Sequence, residues 1–152
     1  MKKARAFSTI EVLLVIVVVA ILAAIVIPGI ARTGLYSKYL VYTAAHRITA
    51  DMRLARRLAV TKGERHRVTF LQTGESSDYN KYEVQRWTGI TWVLVGEAKD
   101  IPDEITVSGN QQVTFNTNGS ADGNSTFRYR IGSARYQVTT RQTTGYVKLE
   151  TY

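Results

Sequence analysis

Two histidines, His46 and His66, stand 20 residues apart, and neither has a carboxylate at metal-ligand spacing. Both read as surface or boundary residues. Asp100, Asp103 and Glu104 come closest to a cation loop, but a calcium loop gathers several acids within about a dozen residues. Turn and strand-edge roles suit them better. Ser76, Ser77 and Ser120 lack the glycine-flanked setting of a nucleophile. The absence of cysteine removes disulfides, thiolate catalysis and zinc–thiolate sites. The pattern therefore predicts no catalytic residue, no metal site and no cofactor.

The chemistry that remains is electrostatic. Glu11 is a single carboxylate at the edge of sixteen consecutive apolar residues, Val12 to Ile27. A bare acid inside such a segment costs roughly 2.5–3.5 kcal/mol in a bilayer, so it marks a specific contact. Cations form a second feature. Arg56, Arg57, Lys62, Arg65, His66 and Arg67 make a dense stretch, and Arg128, Arg130, Arg135 and Arg141 lie near Tyr129 and Tyr136. Such a surface suits salt-sensitive phosphate binding. Solvated cationic faces packing against anionic lipid headgroups account for it better. The formal charge is +8, and side chains 7–152 carry +5 once Lys2, Lys3 and Arg5 are subtracted.

These charges must be positioned by the elements around them. The apolar block opens at Phe7, is interrupted by Ser8, Thr9 and Glu11, and runs to Ile30. As a helix it measures roughly 36 Å, enough for a bilayer core of about 30 Å. Lys2, Lys3 and Arg5 predict a cytoplasmic N-terminus. A secretory signal would have a shorter apolar core closed by a small-residue cleavage site. Here Pro28-Gly29 follows the block, and the small residue Ala6 precedes it, so cutting at Ala6 would leave the whole helix on the mature chain.

From Leu35 to Lys62 the helix is expected to continue, with Leu40, Ala44, Ile48, Ala55 and Leu58 on one side and Arg47, Arg53, Arg56 and Arg57 opposite. Gly63 suits a C-cap. The stretch Ile27 to Gly34, holding Pro28, Gly29 and Gly34, is the weak link. A continuous helix from Phe7 to Lys62 would reach roughly 84 Å.

About eight strands follow, expected over 67–71, 81–85, 91–95, 105–107, 112–115, 127–131, 136–139 and 146–149. Turns at Thr88-Gly89, Asn118-Gly119, Asp122-Gly123 and Thr144-Gly145 separate several of them. The expected class is α+β, a long N-terminal transmembrane and amphipathic helix packed on a C-terminal antiparallel β-sheet head. The domains expected are a leader (1–6), a transmembrane and filament-core helix (7–30), its amphipathic continuation (31–63) and a β-rich head (64–152). The long loop 73–80 reads equally as a contact site or as a merely mobile connection.

The N-terminal residues carry a resemblance. Lys2-Lys3-Ala4-Arg5-Ala6, then Phe7-Ser8-Thr9-Ile10-Glu11-Val12-Leu13-Leu14 and Pro28, resembles the class III leader and first helix of type IV pilins and type II secretion pseudopilins. That resemblance implies cleavage by a prepilin peptidase between Ala6 and Phe7 and N-methylation of Phe7. Ala6 departs from the glycine usual before the cut. The family's conserved acid falls on Glu11, and its helix-kinking proline on Pro28. In a filament the Glu11 carboxylate would meet the Phe7 ammonium of a neighbouring subunit, a pairing that favours register more than net stability.

Further on, Ala50 to Gly63 resembles the helix end of the GspH/FimT group of minor pilins. Val113 to Gly119 and Gln142 to Lys148 resemble its later hairpin and terminal strand. The implied role is a minor pseudopilin or pilin that helps initiate or cap the pseudopilus of a type II secretion system or a type IV pilus. Lack of the C-terminal disulfide loop of many major pilins favours a minor subunit. Implied partners are other pilin or pseudopilin subunits in a hetero-oligomeric filament, the prepilin peptidase and an inner-membrane assembly platform. The implied location is a single pass of the bacterial inner membrane with a periplasmic head, then the filament tip. The alternative is a FimT-like pilin that binds DNA during uptake, using Arg56, Arg57, Lys62, Arg65, Arg67 and Lys148. It is not favoured, because the Gly-Arg-x-Arg element of such pilins is replaced here by Gly145-Tyr146-Val147-Lys148.

Overall fold

The computed structural model describes residues 8–32, 34–72 and 78–152. Ala6, Phe7, Ser76, Ser77 and most of loop 73–80 lie outside the described residues. Helix α1 spans Thr9–Arg32. The Ser8 carbonyl starts its ladder by accepting from the amides of Glu11 at 3.0 Å and Val12 at 3.2 Å. Glu11 sits in the first turn, where the helix dipole favours a negative charge. The backbone stays helical through Pro28 and Gly29.

Helix α2 spans Leu35–Lys62. Glycines with positive φ flank it, Gly34 at 63° and Gly63 at 66°. The weak link therefore gives way at its far end, at Gly34, and the helical stretch is two elements instead of one rod. Two compact units result, Met1–Tyr36 and Ser37–Tyr152. Among the described residues no helix is long and apolar enough to cross a membrane. The described side chains of α1 stop at Ile25, whereas its backbone continues to Arg32, so the span expected over 7–30 is covered only in part.

The second unit is a two-sheet head with α2 built into its core. One sheet is made of β1 (His66–Leu71), β2 (Lys81–Trp87), β3 (Trp92–Leu94), β4 (Lys99–Asp100) and β6 (Gln112–Phe115). Its order is β3-β2-β1-β6, with β4 also pairing β2. The other runs β5-β7-β8-β9, from β5 (Thr106–Gly109), β7 (Ser125–Ile131), β8 (Ala134–Thr140) and β9 (Val147–Thr151). All the pairings are antiparallel. The two-residue β4 carries too little alternation to be read from sequence. The β7–β8 hairpin turns through Gly132-Ser133, where Ile131 faces Ala134 across a two-residue connection.

Strand alternation sorts the side chains. In β7, Phe127 and Tyr129 are buried while Arg128 and Arg130 face out. In the β1–β2 pair, Val68 opposes Val84 and Phe70 opposes Tyr82, and all four are buried. The sheets meet where Phe70 stacks on Phe127, ring centroids 4.5 Å apart. Into the same core α2 sends Val41, Ala45, Ile48, Met52, Ala55 and Ala59. Of the expected face, Ile48 and Ala55 are in the core, but Leu40, Ala44 and Leu58 are only half-buried. The true stripe is centred on small residues because alanines let a helix backbone approach the sheets closely, leaving the longer leucines at the rim.

Phe127→Ala should remove the inter-sheet stack and lower stability by about 3–5 kcal/mol. Urea unfolding of the detergent-solubilised chain measures this. A loss below about 1 kcal/mol would mean that the Phe70–Phe127 contact is not central to the head.

Candidate functional site

Three polar residues of α2 fasten the helix to the head. Asp51, nearly buried, accepts from the Tyr82 hydroxyl at 2.6 Å and from Lys99 Nζ at 2.7 Å, tying α2 to β2 and β4. Burial, then the hydrogen bond and charge of Asp51, push the Tyr82 phenol above its usual pKa, so it remains a donor. Burial also raises Tyr129. Two residues on, Arg53 Nη2 donates to the Val147 carbonyl of β9 at 3.2 Å. Arg56 Nε donates to the Gly119 carbonyl, between β6 and β7, at 3.0 Å.

Gly145 completes this corner. Its φ is +59°, and a Cβ there would overlap the Gly119 carbonyl oxygen and crowd Arg56 Nε. The Gly119 and Gly145 turns thus touch backbone to backbone beside the helix. Next to them a groove of 460 Å³ is lined by Arg53, Arg56, Arg57, Val60, Thr61, Tyr146 and Val147. Val60 and Tyr146 are half-exposed on its walls, and no acid among the described residues lines it.

The six cations singled out from sequence are distributed differently from one another. Arg56 and Arg57 line the groove, and Lys62 occupies the last turn of α2. Arg65 pairs with Asp122 at 2.7 Å and also donates to Asn116. Arg67 donates to Gln85 Oε1 at 2.7 Å and lies 4.3 Å from the centre of the Trp92 ring. Lys148 pairs with Glu150, whose carboxyl that hydrogen bond holds below its usual pKa. Glu11 is exposed, and Pro28 lies within the α1 backbone.

Of the histidines, His46 is exposed against the Tyr42 ring, 4.1 Å between centroids. His66 is buried, contrary to its expected surface or boundary position, with Nδ1 2.9 Å from the Glu64 carbonyl. It starts β1 on that strand's inward-facing side, which decides its burial. Asp100 pairs with Lys81 at 3.2 Å. Sequence reasoning missed Asp51 and Arg53 as anchors of the head. A signal existed for Asp51, since it interrupts the apolar run of Ile48, Met52 and Ala55 on one helix face. None existed for Arg53, because its partner is a backbone carbonyl 94 residues away.

Comparison with known proteins bears on this architecture. The profile of a family described as type II transport protein GspH matches residues 44–144. No curated protein matches the chain in sequence. Among solved structures, the type IV minor pilin FimU of Pseudomonas aeruginosa aligns with a TM-score of 0.62 at 16% identity, covering 76% of this chain and 92% of FimU. The minor pseudopilin EpsH from the type II secretion system of Vibrio cholerae aligns with a TM-score of 0.62 at 10% identity, covering 75% of this chain and 97% of EpsH. At these identities the likeness is one of fold.

Tyr82→Phe should cost about 1.5–3 kcal/mol at neutral pH, the worth of a hydrogen bond to a charged group. The folded phenol titrates above the ordinary value of 10.0. Its stabilising contribution is therefore intact below that value and fades as the pH climbs beyond it, while unfolded phenols ionise. Denaturation midpoints from about pH 9 to about pH 11 should fall more steeply for the wild type than for Tyr82→Phe. Parallel curves would show that this phenol is not linked to folding.

Proposed function

The chain belongs to the GspH family of type II transport proteins, and from that premise we propose that it is a minor filament subunit that helps initiate or cap a type II secretion pseudopilus or a type IV pilus. The observation that carries this reading is the exposure of α1. From Thr9 to Ile25 every side chain is exposed except the half-buried Ala23, and the large ones range from 46% for Val18 to 73% for Ile10. A helix apolar on all sides is stable only when covered, by lipid or by other helices. A subunit that waits in the inner membrane and then enters a helical filament core meets both coverings in turn.

In this reading a prepilin peptidase cuts between Ala6 and Phe7, and the amine of Phe7 is methylated. The partners are the peptidase, an inner-membrane assembly platform and other pilin-like subunits, with the head in the periplasm and later at the filament tip. Glu11 sets the axial position by meeting the Phe7 ammonium of a neighbour, since a carboxylate buried without a cation is costly. Pro28 provides a place where the helix can bend during transfer from bilayer to fibre. A DNA-uptake role has less support, because Arg65, Arg67 and Lys148 are engaged within the head.

Glu11→Ala should leave membrane insertion intact and block incorporation. Fractionation of cells into membrane and sheared-filament pools, with immunodetection, measures both. Normal amounts of the variant in the filament pool would sink the assembly role of Glu11.

A further inference from the structure

We propose that the groove beside the C-terminal half of α2 receives an acidic segment of a different filament subunit, its carboxylates meeting Arg53, Arg56 and Arg57 and a neighbouring apolar side chain resting between Val60 and Tyr146. The proposal rests on the reading of the chain as a filament subunit. Three guanidinium groups line the groove and no acid among the described residues does, so its charge is uncompensated by them. Arg53 and Arg56 each commit one donor to a backbone carbonyl, at 3.2 and 3.0 Å. Each guanidinium has five N–H donors, so the remaining ones are held in place for a ligand and lose little freedom on binding. Arg57 has no ion-pair partner among the described residues.

The walls specify more than charge. Val60 and Tyr146 are 51% and 52% exposed, a combination of aliphatic and aromatic surface that suits an apolar side chain next to a carboxylate. Tyr146 and Val147 lie just beyond the segment matched by the GspH profile, which ends at residue 144.

Charge also selects the partner. With +5 on side chains 7–152, two copies of this chain would bring like-charged surfaces together, which favours a different and acidic subunit. A nucleic acid would need a stripe of phosphate contacts. The groove ends against the Gly119 and Gly145 turns, and Arg65, Arg67 and Lys148 pair with neighbours elsewhere on the head.

The test uses the full chain in detergent and a fluorescein-labelled octapeptide of alternating Glu and Leu, followed by polarisation. The octapeptide should bind, release as salt rises, and lose at least about tenfold in affinity with Arg57→Glu. Arg130→Glu, an exposed charge on β7 outside the groove, should leave binding unchanged. Equal binding by Arg57→Glu and wild type, no binding at all, or tighter Arg57-dependent binding of labelled oligothymidylate would each overturn the proposal. In cells, p-benzoylphenylalanine installed at Val60 should cross-link to an acidic stretch of another pilin-like subunit, mapped by mass spectrometry. A cross-link to a second copy of this chain, or none from chains recovered in the filament, would also overturn it. Failure of both arms in a chain that still enters the filament removes the groove assignment alone. Octapeptide binding by a chain that never enters a filament removes the filament reading and with it the assigned partner.

Discussion

The head depends on how closely α2 can lie against the two sheets. Ala45, Ala55 and Ala59 are fully buried and bring the helix backbone close, and Val41, Ile48 and Met52 fill the spaces between them. That closeness puts Asp51 within reach of both Tyr82 and Lys99. A carboxylate so placed would be expensive if unpaired; paired, it fixes the rotation of the helix about its axis, since only one rotation presents it to both donors. Arg53 and Arg56 then hold backbone carbonyls of β9 and of the β6–β7 connection. Small residues set the distance and polar residues set the angle.

The same chain carries two helical regions with opposite requirements. In α2 the apolar stripe is narrow and its partner surface is in the same polypeptide. In α1 the apolar surface runs all the way round, and among the described residues nothing in its own unit covers the stretch from Thr9 to Ile25. Gly34, with φ of 63°, stands between them, and the chain divides into its two compact units just beyond it. A glycine break lets each region satisfy its own solvent, apolar for the first and the folded core for the second. Glu11 is the one group in the apolar region that asks for something more specific than apolar contact, and that is why an assembly role is assigned to it.

Charge shows how far composition can mislead. The run from Arg56 to Arg67 looks like one basic surface, yet its members end in separate environments. A strand and a helix have different periods, and the chain passes from one to the other at Gly63, so residues adjacent in sequence leave in different directions. Arg65 and Arg67 find Asp122 and Gln85, while Arg56 finds a carbonyl. Of that run, Arg56 and Arg57 stay together in the groove.

The order of elements, the eight longer strands and the helical regions on either side of the weak link were legible in the sequence because each rests on a local pattern: an apolar run for α1, a 3.6 period for α2, a period of 2 for the strands and glycine at the turns. Two features fell below that signal. The two-residue strand β4 is too short to alternate, and the core stripe of α2 was read only in part, with Leu58 taken over its neighbour Ala59 because leucine outweighs alanine in any reading by hydrophobicity alone. The sequence by itself determined an apolar first helix with one acid at its head and a β-rich remainder without cysteine. Tertiary structure alone decided which donors Asp51 meets, that Arg53 reaches the Val147 carbonyl, and that Arg53, Arg56 and Arg57 share a groove with Tyr146. Those relations join residues tens of positions apart, and no local pattern encodes a contact whose partner is a distant backbone carbonyl.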